Sequence, residues 1–299
     1  MVNAVFCNMS VLTRPPLRYF GSKSRLAPWI ISHFPAHVGY CEPFGGGGNV
    51  LLQKPRVPVE TYNDLDGRVV NFFRVLRDRR SELIERLELT PYARAEYELA
   101  LEPTPDDPIE DARRYFVAAW MCIGGQRRES TPTHWRYIKS VTARTGKSPA
   151  GYWRFDHLYM VAERLMGVQI ECKDAFKVIP HFDAPSTLFY LDPPYLAGSR
   201  SRPDHQYTHE FSDADHAKLA DLLQGLEGYC VLSGYPGVMY ADLYERHGWV
   251  RRDTVAYVNS SRTHREHPAQ RIESIWLNPR CAKAQEGLGG LFNGEHSLE

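Results

Sequence analysis

Short apolar runs alternate with stretches of helical hydrophobic spacing along most of this chain. Runs such as Leu188-Phe189-Tyr190-Leu191 are short and lack polar alternation, which indicates strands covered on both faces of a sheet. The predicted strands end at Glu42 or cover residues 57–62, 168–171, 188–191, 229–233, 254–258 and 272–277. Helices are predicted after residues 23 and 49 and over residues 65–76, 109–121, 155–166 and 212–226. This alternation predicts an α/β fold with a doubly wound sheet.

The run 188–191 ends at the tetrapeptide Asp192-Pro193-Pro194-Tyr195. Neither proline can donate a hydrogen bond to a sheet, and each fixes φ at about −65°, so the strand stops there. A carboxylate, two rigid carbonyls and an aromatic ring therefore emerge at the carboxyl end of a strand. Open α/β sheets bind ligands at that edge. The simpler interpretation is a strand-ending turn with an exposed aspartate.

A glycine loop follows the first predicted strand. Glycines 45–48 come directly after Glu42-Pro43-Phe44, and a helix is predicted from about Asn49. Because glycine lets the backbone approach a ligand closely and adopt positive φ, this arrangement predicts a nucleotide-type cradle. It is not the phosphate-binding Gly-x4-Gly-Lys-Ser/Thr loop, because no Lys-Ser/Thr follows. A flexible surface loop is the alternative.

The second predicted strand ends at Asn63-Asp64, roughly where a ribose-binding acid is expected after such a loop. A carboxylate at Asp64 could accept hydrogen bonds from both sugar hydroxyls. Asp66 is the weaker candidate, because Leu65 and Asp66 already begin the next predicted helix. One of the two acids is expected to cap that helix.

Lys23 follows a predicted loop, residues 14–22, with a tight turn at Gly21. The loop leads into a helix, so Lys23 is predicted to lie near a helix N-terminus. Amide groups and the positive end of the helix dipole favour an anionic ligand there. A solvated lysine is the alternative interpretation.

Residues 81–167 differ in character from the sheet-forming parts of the chain. Thr90-Pro91 predicts a helix start, and residues 124–151 form a long polar loop of the kind that is usually functional or disordered. Basic and aromatic side chains are interleaved there, which suits a nucleic-acid surface with cations on phosphates. A solvated basic loop is the alternative. The candidate contact residues are Arg127, Arg128, Arg136, Lys139 and Arg144.

Composition mainly excludes function classes. The 299 residues carry zero formal net charge, so any basic surface must be local. No apolar run reaches about 18 residues and no signal-peptide pattern is present, which predicts a cytoplasmic location without a membrane partner. The six scattered cysteines never form Cys-x-x-Cys, as is typical of reduced cysteines in a cytosolic protein. His264 and His267 are interpreted as surface residues rather than metal ligands, and residues 281–299 as a disordered tail.

Three segments in this order resemble the Dam-like, alpha-order family of DNA adenine N6-methyltransferases. They are Arg18-Tyr19-Phe20-Gly21-Ser22-Lys23, then Glu42-Pro43-Phe44-Gly45-Gly46-Gly47-Gly48, then Asp192-Pro193-Pro194-Tyr195. The resemblance implies a Rossmann-like sheet that binds S-adenosylmethionine, formed by a discontinuous catalytic domain of residues 14–80 and 168–280. It implies an inserted, mostly helical target-recognition domain at residues 81–167. One departure is Ala175, which separates Asp174 from Phe176 where the family often has Phe directly after the acid.

The resemblance also implies roles for individual residues. Those implied for the cofactor are Tyr19 and Lys23 at its amino-acid end, Glu42, Pro43, Phe44, Gly45 and Gly47 along its backbone, Asp64 at its ribose, Asp174 and Phe176 at its adenine, and Asp192. Asp192 and the carbonyl of Pro193 would hold the target amine, with Pro194 stiffening the turn. Tyr195 would stack on an adenine flipped out of the duplex. No metal is needed.

The family further implies double-stranded DNA as partner, a bacterial or phage origin and a possible partner restriction endonuclease. The nearest alternative is methylation of adenine in RNA. A glutamine amide substrate is disfavoured, because related amide methyltransferases have Asn in place of Asp192. A catalytically silent DNA-binding relative would not need Asp64, Asp192 and Tyr195. A nicotinamide-dependent oxidoreductase would leave Asp192–Tyr195 unexplained.

Overall fold

One mixed sheet forms the centre of the molecule. The computed structural model describes residues 12, 14–104, 106–123, 134–138, 148–195, 211–258 and 269–292. The strands are β1 Gly39–Glu42, β2 Val59–Asn63, β3 Gln169–Glu171, β4 Thr187–Leu191, β5 Tyr229–Gly234, β6 Val250–Val258 and β7 Ala269–Leu277. Their order in the sheet is β3-β2-β1-β4-β5-β7-β6. All neighbours are parallel except β7, which runs antiparallel to β5 and β6.

Helices cover both faces of this sheet. They are α1 Ala27–Ile31, α2 Asn49–Gln53, α3 Gly67–Asp78, α4 Arg80–Glu88, α5 Arg94–Ala100, α6 Pro108–Met121, α7 Pro149–Tyr152, α8 Asp156–Leu165, α9 Ala175–Phe182, α10 Asp213–Gln224, α11 Val238–Leu243 and α12 Pro279–Phe292. Strand β4 is buried throughout. Its residues Leu188 and Tyr190 join the core on one face, and Phe189 and Leu191 join the core on the other. The predicted doubly wound α/β sheet is confirmed.

The topology explains where a ligand site belongs. From β1 the chain runs to β2 and β3 on one side of the sheet, and it returns to β4 and β5 on the other side of β1. The pair β1 and β4, in register at Cys41 and Phe189, is therefore the switch point of the sheet. Glu42 at the end of β1 and Asp192 after β4 lie at the carboxyl edge of that pair.

Two local predictions were wrong. Residues 281–292 are helical rather than a disordered tail, and residues 293–299 lie outside the described part. Asn278 caps this helix, because its Oδ1 accepts hydrogen bonds from the amides of Cys281 at 2.9 Å and Cys230 at 3.1 Å. The predicted helix start at Thr90 is also absent, since α5 begins at Arg94. Thr90 instead donates its hydroxyl to the Arg86 carbonyl at 2.6 Å, at the end of α4.

The helices of residues 81–167 share the hydrophobic core of the sheet. Phe116 of α6 stacks on Phe72 of α3 with ring centroids 6.1 Å apart, and both lie in the core cluster that contains Leu188. The division into a catalytic domain and an inserted recognition domain therefore stays a prediction. No helix in the described ranges is long and apolar enough to cross a membrane.

A buried ion network ties β2 to the helices on one face. Glu60 of β2 accepts hydrogen bonds from Lys54 at 2.7 Å and from Arg164 of α8 at 2.6 and 2.9 Å. All three side chains are almost completely buried. The network lies at the amino end of β2, away from the edge that carries Glu42 and Asp192. Its contribution is thus to stability rather than to a site.

Candidate active site

A cavity of about 320 Å³ lies at the carboxyl edge of β1, β2 and β4. Its lining includes every residue that the sequence predicts for the cofactor: Tyr19, Lys23, Glu42, Pro43, Phe44, Gly45, Gly47, Asp64, Asp174, Phe176 and Asp192. Pro194 also lines it. Segments far apart in sequence therefore meet at one cavity, as was predicted from their positions after the ends of strands.

The glycine loop is held in shape by hydrogen bonds to the end of β2. Gly45 donates its amide to the carbonyl of Asn63 at 2.8 Å, and Gly46 donates to Asp64 Oδ2 at 2.7 Å. The Tyr62 hydroxyl donates to the Gly46 carbonyl at 2.7 Å. Gly46 has φ +46°, a left-handed conformation that favours glycine. The loop is an ordered part of the fold, so the alternative of a flexible surface loop is wrong.

Gly45→Ala is expected to weaken about tenfold or more the binding of S-adenosylmethionine, the cofactor that the sequence resemblance implies. A Cβ at Gly45 would lie 2.2 Å from Cε2 of Tyr62, a buried ring that is itself bonded to the loop. The loop or the ring must therefore move. Titration calorimetry with S-adenosylmethionine measures the effect.

Gly67→Ala is the matched control, because a Cβ there meets no described atom within 4 Å. Its cofactor affinity should equal that of the unchanged protein. Equal affinities for Gly45→Ala and Gly67→Ala would show that the close approach at Gly45 does not shape the binding site.

The two acids after β2 have different contacts. Asp66 is the N-cap of α3, and its carboxylate accepts the Arg68 amide at 2.9 Å. Asp64 accepts the Asp66 amide through Oδ1 at 2.9 Å and the Gly46 amide through Oδ2 at 2.7 Å. The prediction that one of the pair caps the helix is confirmed. Asp64 faces the cavity, and its ribose role stays a prediction.

Asn63 supports residues that line the cavity, and sequence reasoning missed this role. Its fully buried amide donates to the carbonyls of Pro43 at 2.8 Å and Lys173 at 2.9 Å, and its Oδ1 accepts the Lys173 amide at 2.9 Å. One side chain therefore joins the end of β2 to the segments after β1 and β3. The position of Asn63 at the end of a predicted strand was the available signal.

Glu42 is a buried residue in the lining of the cavity. Its Oε2 accepts the Tyr40 hydroxyl at 2.9 Å and the Leu51 amide at 3.0 Å. Burial raises the pKa of Glu42 to about 8, although both hydrogen bonds oppose that shift. A cationic group entering this part of the cavity would stabilise the carboxylate form.

Aromatic rings form another part of the cavity wall. Asp174 caps α9 by accepting the Phe176 amide at 2.9 Å. The Phe176 ring is parallel to Phe211, at 6.0 Å between centroids and 9° between planes, and Lys218 Nζ lies 4.2 Å from the Phe176 centroid. Phe211 and Lys218 both line the cavity. Sequence reasoning missed both, since neither follows a strand.

Lys23 forms an ion pair with Asp192 across the mouth of the site. Its Nζ lies 2.7 Å from Asp192 Oδ2 and 3.0 Å from the Gly21 carbonyl. The same ammonium lies 4.7 Å from the Tyr195 ring centroid. Lys23 is only 8% exposed, so the alternative of a solvated lysine is wrong.

The tetrapeptide after β4 is more buried than an exposed turn would be. Tyr195 is 5% exposed and packs edge-to-face on Tyr235, with ring centroids 4.5 Å apart. Burial raises the pKa of Tyr195 well above its ordinary value, so the phenol is neutral. His216 Nε2 lies 3.1 Å from the Pro194 carbonyl oxygen. Pro193 and Tyr195 do not line the cavity, and their catalytic roles stay predictions.

Of the predicted nucleic-acid contacts, the described ranges contain Arg136. Arg127, Arg128, Lys139 and Arg144 lie outside them, as do His264 and His267. The Arg136 guanidinium lies 4.6 Å from the Tyr152 ring centroid. Within the described ranges, no group of three or more His, Cys, Asp or Glu side chains is arranged to hold a metal ion.

Comparison with known proteins identifies the family of this chain. The family model of D12 class N6 adenine-specific DNA methyltransferases matches residues 19–256. The type II methyltransferase M1.LlaDCHI of Lactococcus lactis subsp. cremoris is 25% identical over 258 residues, which cover 78% of this chain and 84% of that relative. The family match spans most of the chain, including the glycine loop and the Asp-Pro-Pro-Tyr segment. The chain belongs to the D12 class N6 adenine-specific DNA methyltransferases.

Proposed function

We propose that this enzyme transfers a methyl group from S-adenosylmethionine, bound in the cavity, to the N6 amino group of an adenine flipped out of DNA. The observation that carries the proposal is the cavity itself. It gathers all the residues expected for the cofactor, and Asp192 stands at its edge beside them.

The side chains and backbone of the cavity fit this cofactor. Its volume is that of a small-molecule site. We assign Asp64 to the ribose hydroxyls and Glu42 to the ammonium end, since both are acceptors at the β1–β2 side. The Phe176–Phe211 pair suits the adenine ring. A Cβ at Gly45 or Gly46 would clash with a neighbouring ring and so disturb the loop that is proposed to contact the cofactor. When bound, the cofactor supplies an electrophilic sulfonium methyl group.

The residues after β4 would prepare the nucleophile. The exocyclic nitrogen of adenine reacts poorly because its lone pair is delocalised into the ring. Asp192 Oδ1 and the Pro193 carbonyl would each accept a hydrogen bond from one of its two N–H groups, which favours a pyramidal nitrogen. Before the base enters, Lys23 bonds to the other oxygen, Oδ2, and holds the carboxylate in one orientation. The prolines restrict the turn, which fixes that orientation before reaction.

Tyr195 is proposed to stack on the target base. An adenine inside a duplex cannot reach the cavity, so it must be flipped out. In this structure the Lys23 ammonium lies over the Tyr195 ring. Stacking therefore requires that Lys23 moves aside as the base enters.

Two arginines near the long polar loop are proposed to contact DNA phosphates. Arg18 donates to the Cys122 carbonyl at 3.3 Å, next to the point where Cys122 pairs with Trp135. Burial lowers the pKa of Arg18, and the positive charge of Arg136 lowers it further. Two neighbouring guanidinium groups that repel each other are stabilised by an anion between them.

Arg136→Gln is expected to weaken duplex binding severalfold and to reduce the slope of log Kd against log salt by about 1. Arg80→Gln is the control, since Arg80 pairs with Glu163 at the amino end of the sheet. Fluorescence anisotropy over a salt series measures both. An unchanged affinity and slope for Arg136→Gln would move the DNA surface elsewhere.

The relative's name, type II methyltransferase, supports a place in restriction and modification. We infer that this enzyme modifies a specific site which a partner endonuclease would otherwise cut. Sequencing methylated adenines in DNA from expressing cells identifies the site. Methylation scattered without a common sequence would contradict site specificity.

The decisive assay offers S-adenosylmethionine with a labelled methyl group to unmethylated duplex DNA and to RNA of the same sequence. We expect label in N6-methyladenine from the DNA, as shown by nuclease digestion and chromatography. Label in RNA alone would overturn the DNA assignment, and label in neither would indicate a catalytically silent relative.

A further inference from the structure

His216 is a fully buried histidine between the cofactor cavity and the catalytic turn. It lies in the first part of α10 and has no exposed surface. Its Nε2 lies 3.1 Å from the carbonyl oxygen of Pro194, inside the Asp-Pro-Pro-Tyr segment. Its ring also packs edge-to-face on Phe211, with centroids 4.8 Å apart at 86°. One imidazole thus contacts both parts of the site.

The catalytic turn needs a donor from outside its own backbone. Pro193 and Pro194 have no amide proton, so neither can pin the turn by an N–H bond of its own. Pro194 is partly buried, and a carbonyl with reduced access to water is stabilised by a hydrogen-bond donor. The Pro194 carbonyl has no proton to give, so the bond to His216 requires the tautomer with hydrogen on Nε2.

The donor is held on a rigid support. Ser212 and Asp215 form a capping box at the start of α10: Ser212 Oγ accepts the Asp215 amide at 3.1 Å, and Asp215 Oδ2 accepts the Ser212 amide at 2.9 Å. Asp215 and Lys218 of the same helix line the cofactor cavity. Helix α10 therefore contacts the catalytic turn through His216 and forms part of the cavity wall through Asp215 and Lys218.

We propose that His216 is a positioning residue for methyl transfer, whose Nε2–H fixes the Pro194 carbonyl and thereby the orientation of Asp192 and the Pro193 carbonyl toward the cavity. The proposal rests on the assignment of Asp192 and Pro193 to the target amine. Because small displacements of a reacting group cost large rate factors, loss of this one bond should slow the chemical step.

His216→Gln and His216→Met form a matched pair. The two side chains have nearly the same length and volume, and Gln keeps an amide donor near the position of Nε2. We expect His216→Met to lower the single-turnover methylation rate by about 10- to 100-fold, and His216→Gln to restore most of it. Any change in cofactor affinity from repacking against Phe211 should be the same in both variants. Urea unfolding compares their stabilities.

Two results would overturn the proposal. One is equal single-turnover rates for the two folded variants. The other comes from the unchanged protein: 15N chemical shifts of labelled histidines, assigned to His216 by comparison with His216→Gln, identify the tautomer. Hydrogen on Nδ1 alone would leave Nε2 nothing to donate. This second test needs no activity, so it decides the matter even if His216→Met fails to fold, and it is independent of Asp192.

Discussion

Asp192→Ala is expected to lower the methylation rate by at least about a thousandfold while the protein stays folded and binds S-adenosylmethionine. The substitution removes the carboxylate that is proposed to accept a hydrogen bond from the target amine. It also removes the partner of Lys23, which lies 2.7 Å away. Single-turnover incorporation of labelled methyl groups into duplex DNA measures the loss.

Two controls separate chemistry from binding in this variant. Calorimetry with the cofactor should show an affinity close to that of the unchanged protein, since most of the cavity lining is untouched. Urea unfolding should show a smaller loss than the breaking of a fully buried ion pair would cause, because the Lys23 and Asp192 side chains are 9% and 20% exposed. Full activity in a folded Asp192→Ala variant would remove Asp192 from the mechanism.

Glu60→Gln is expected to lower the free energy of unfolding by about 3–5 kcal/mol. Glu60 is 3% exposed and is bonded to both Lys54 and Arg164, so its neutral replacement leaves two buried cations without a counter-charge. Glu163→Gln is the control on the same helix as Arg164. Its ion pair with Arg80 is exposed, and the midpoint of urea unfolding should hardly change.

The same network predicts a pH dependence of stability. Burial alone would raise the pKa of Glu60, but the hydrogen bonds and charges of Arg164 and Lys54 outweigh burial and lower the pKa below its ordinary value of 4.5. Because its folded-state pKa is lowered, the Glu60 carboxylate stabilises the fold at pH values above 4.5. This contribution is lost as the pH falls through the folded-state pKa. Glu60→Gln should lack this acid-dependent component. An identical pH profile in both proteins would contradict the role of the network.

The positions of the strands along the chain and the position of the cavity were predictable because both are encoded locally. The apolar run before Asp192 reads as a strand from its own residues, and β4 covers Thr187–Leu191. Glu42, Asp64 and Asp192 each follow a strand, and the carboxyl ends of neighbouring parallel strands meet at one edge. Chemistry placed at strand ends therefore identified the site before the sheet order was known.

The errors arose where a tertiary contact replaced a local preference. Gly-rich residues after 281 suggested disorder, but the cap from Asn278 and the burial of Cys281 begin a helix there. Thr90-Pro91 has the composition of a helix start, yet the Thr90 hydroxyl donates to the Arg86 carbonyl near the end of α4. In both cases a side chain that could form several different hydrogen bonds has its partner fixed by the surrounding residues.

The amino-acid sequence by itself determined the fold class, the Asp-Pro-Pro-Tyr strand end and many of the residues that line the cavity, because periodicity, prolines and glycines act within a few residues. Only the tertiary structure decided which side chains are partners. Lys23 meets Asp192, and His216 meets the Pro194 carbonyl, across segments that no local pattern relates. A hydrogen bond depends on atoms being brought within about 3 Å. That distance is set by the packing of strands and helices, and this packing therefore decides how the side chains of the motif are oriented.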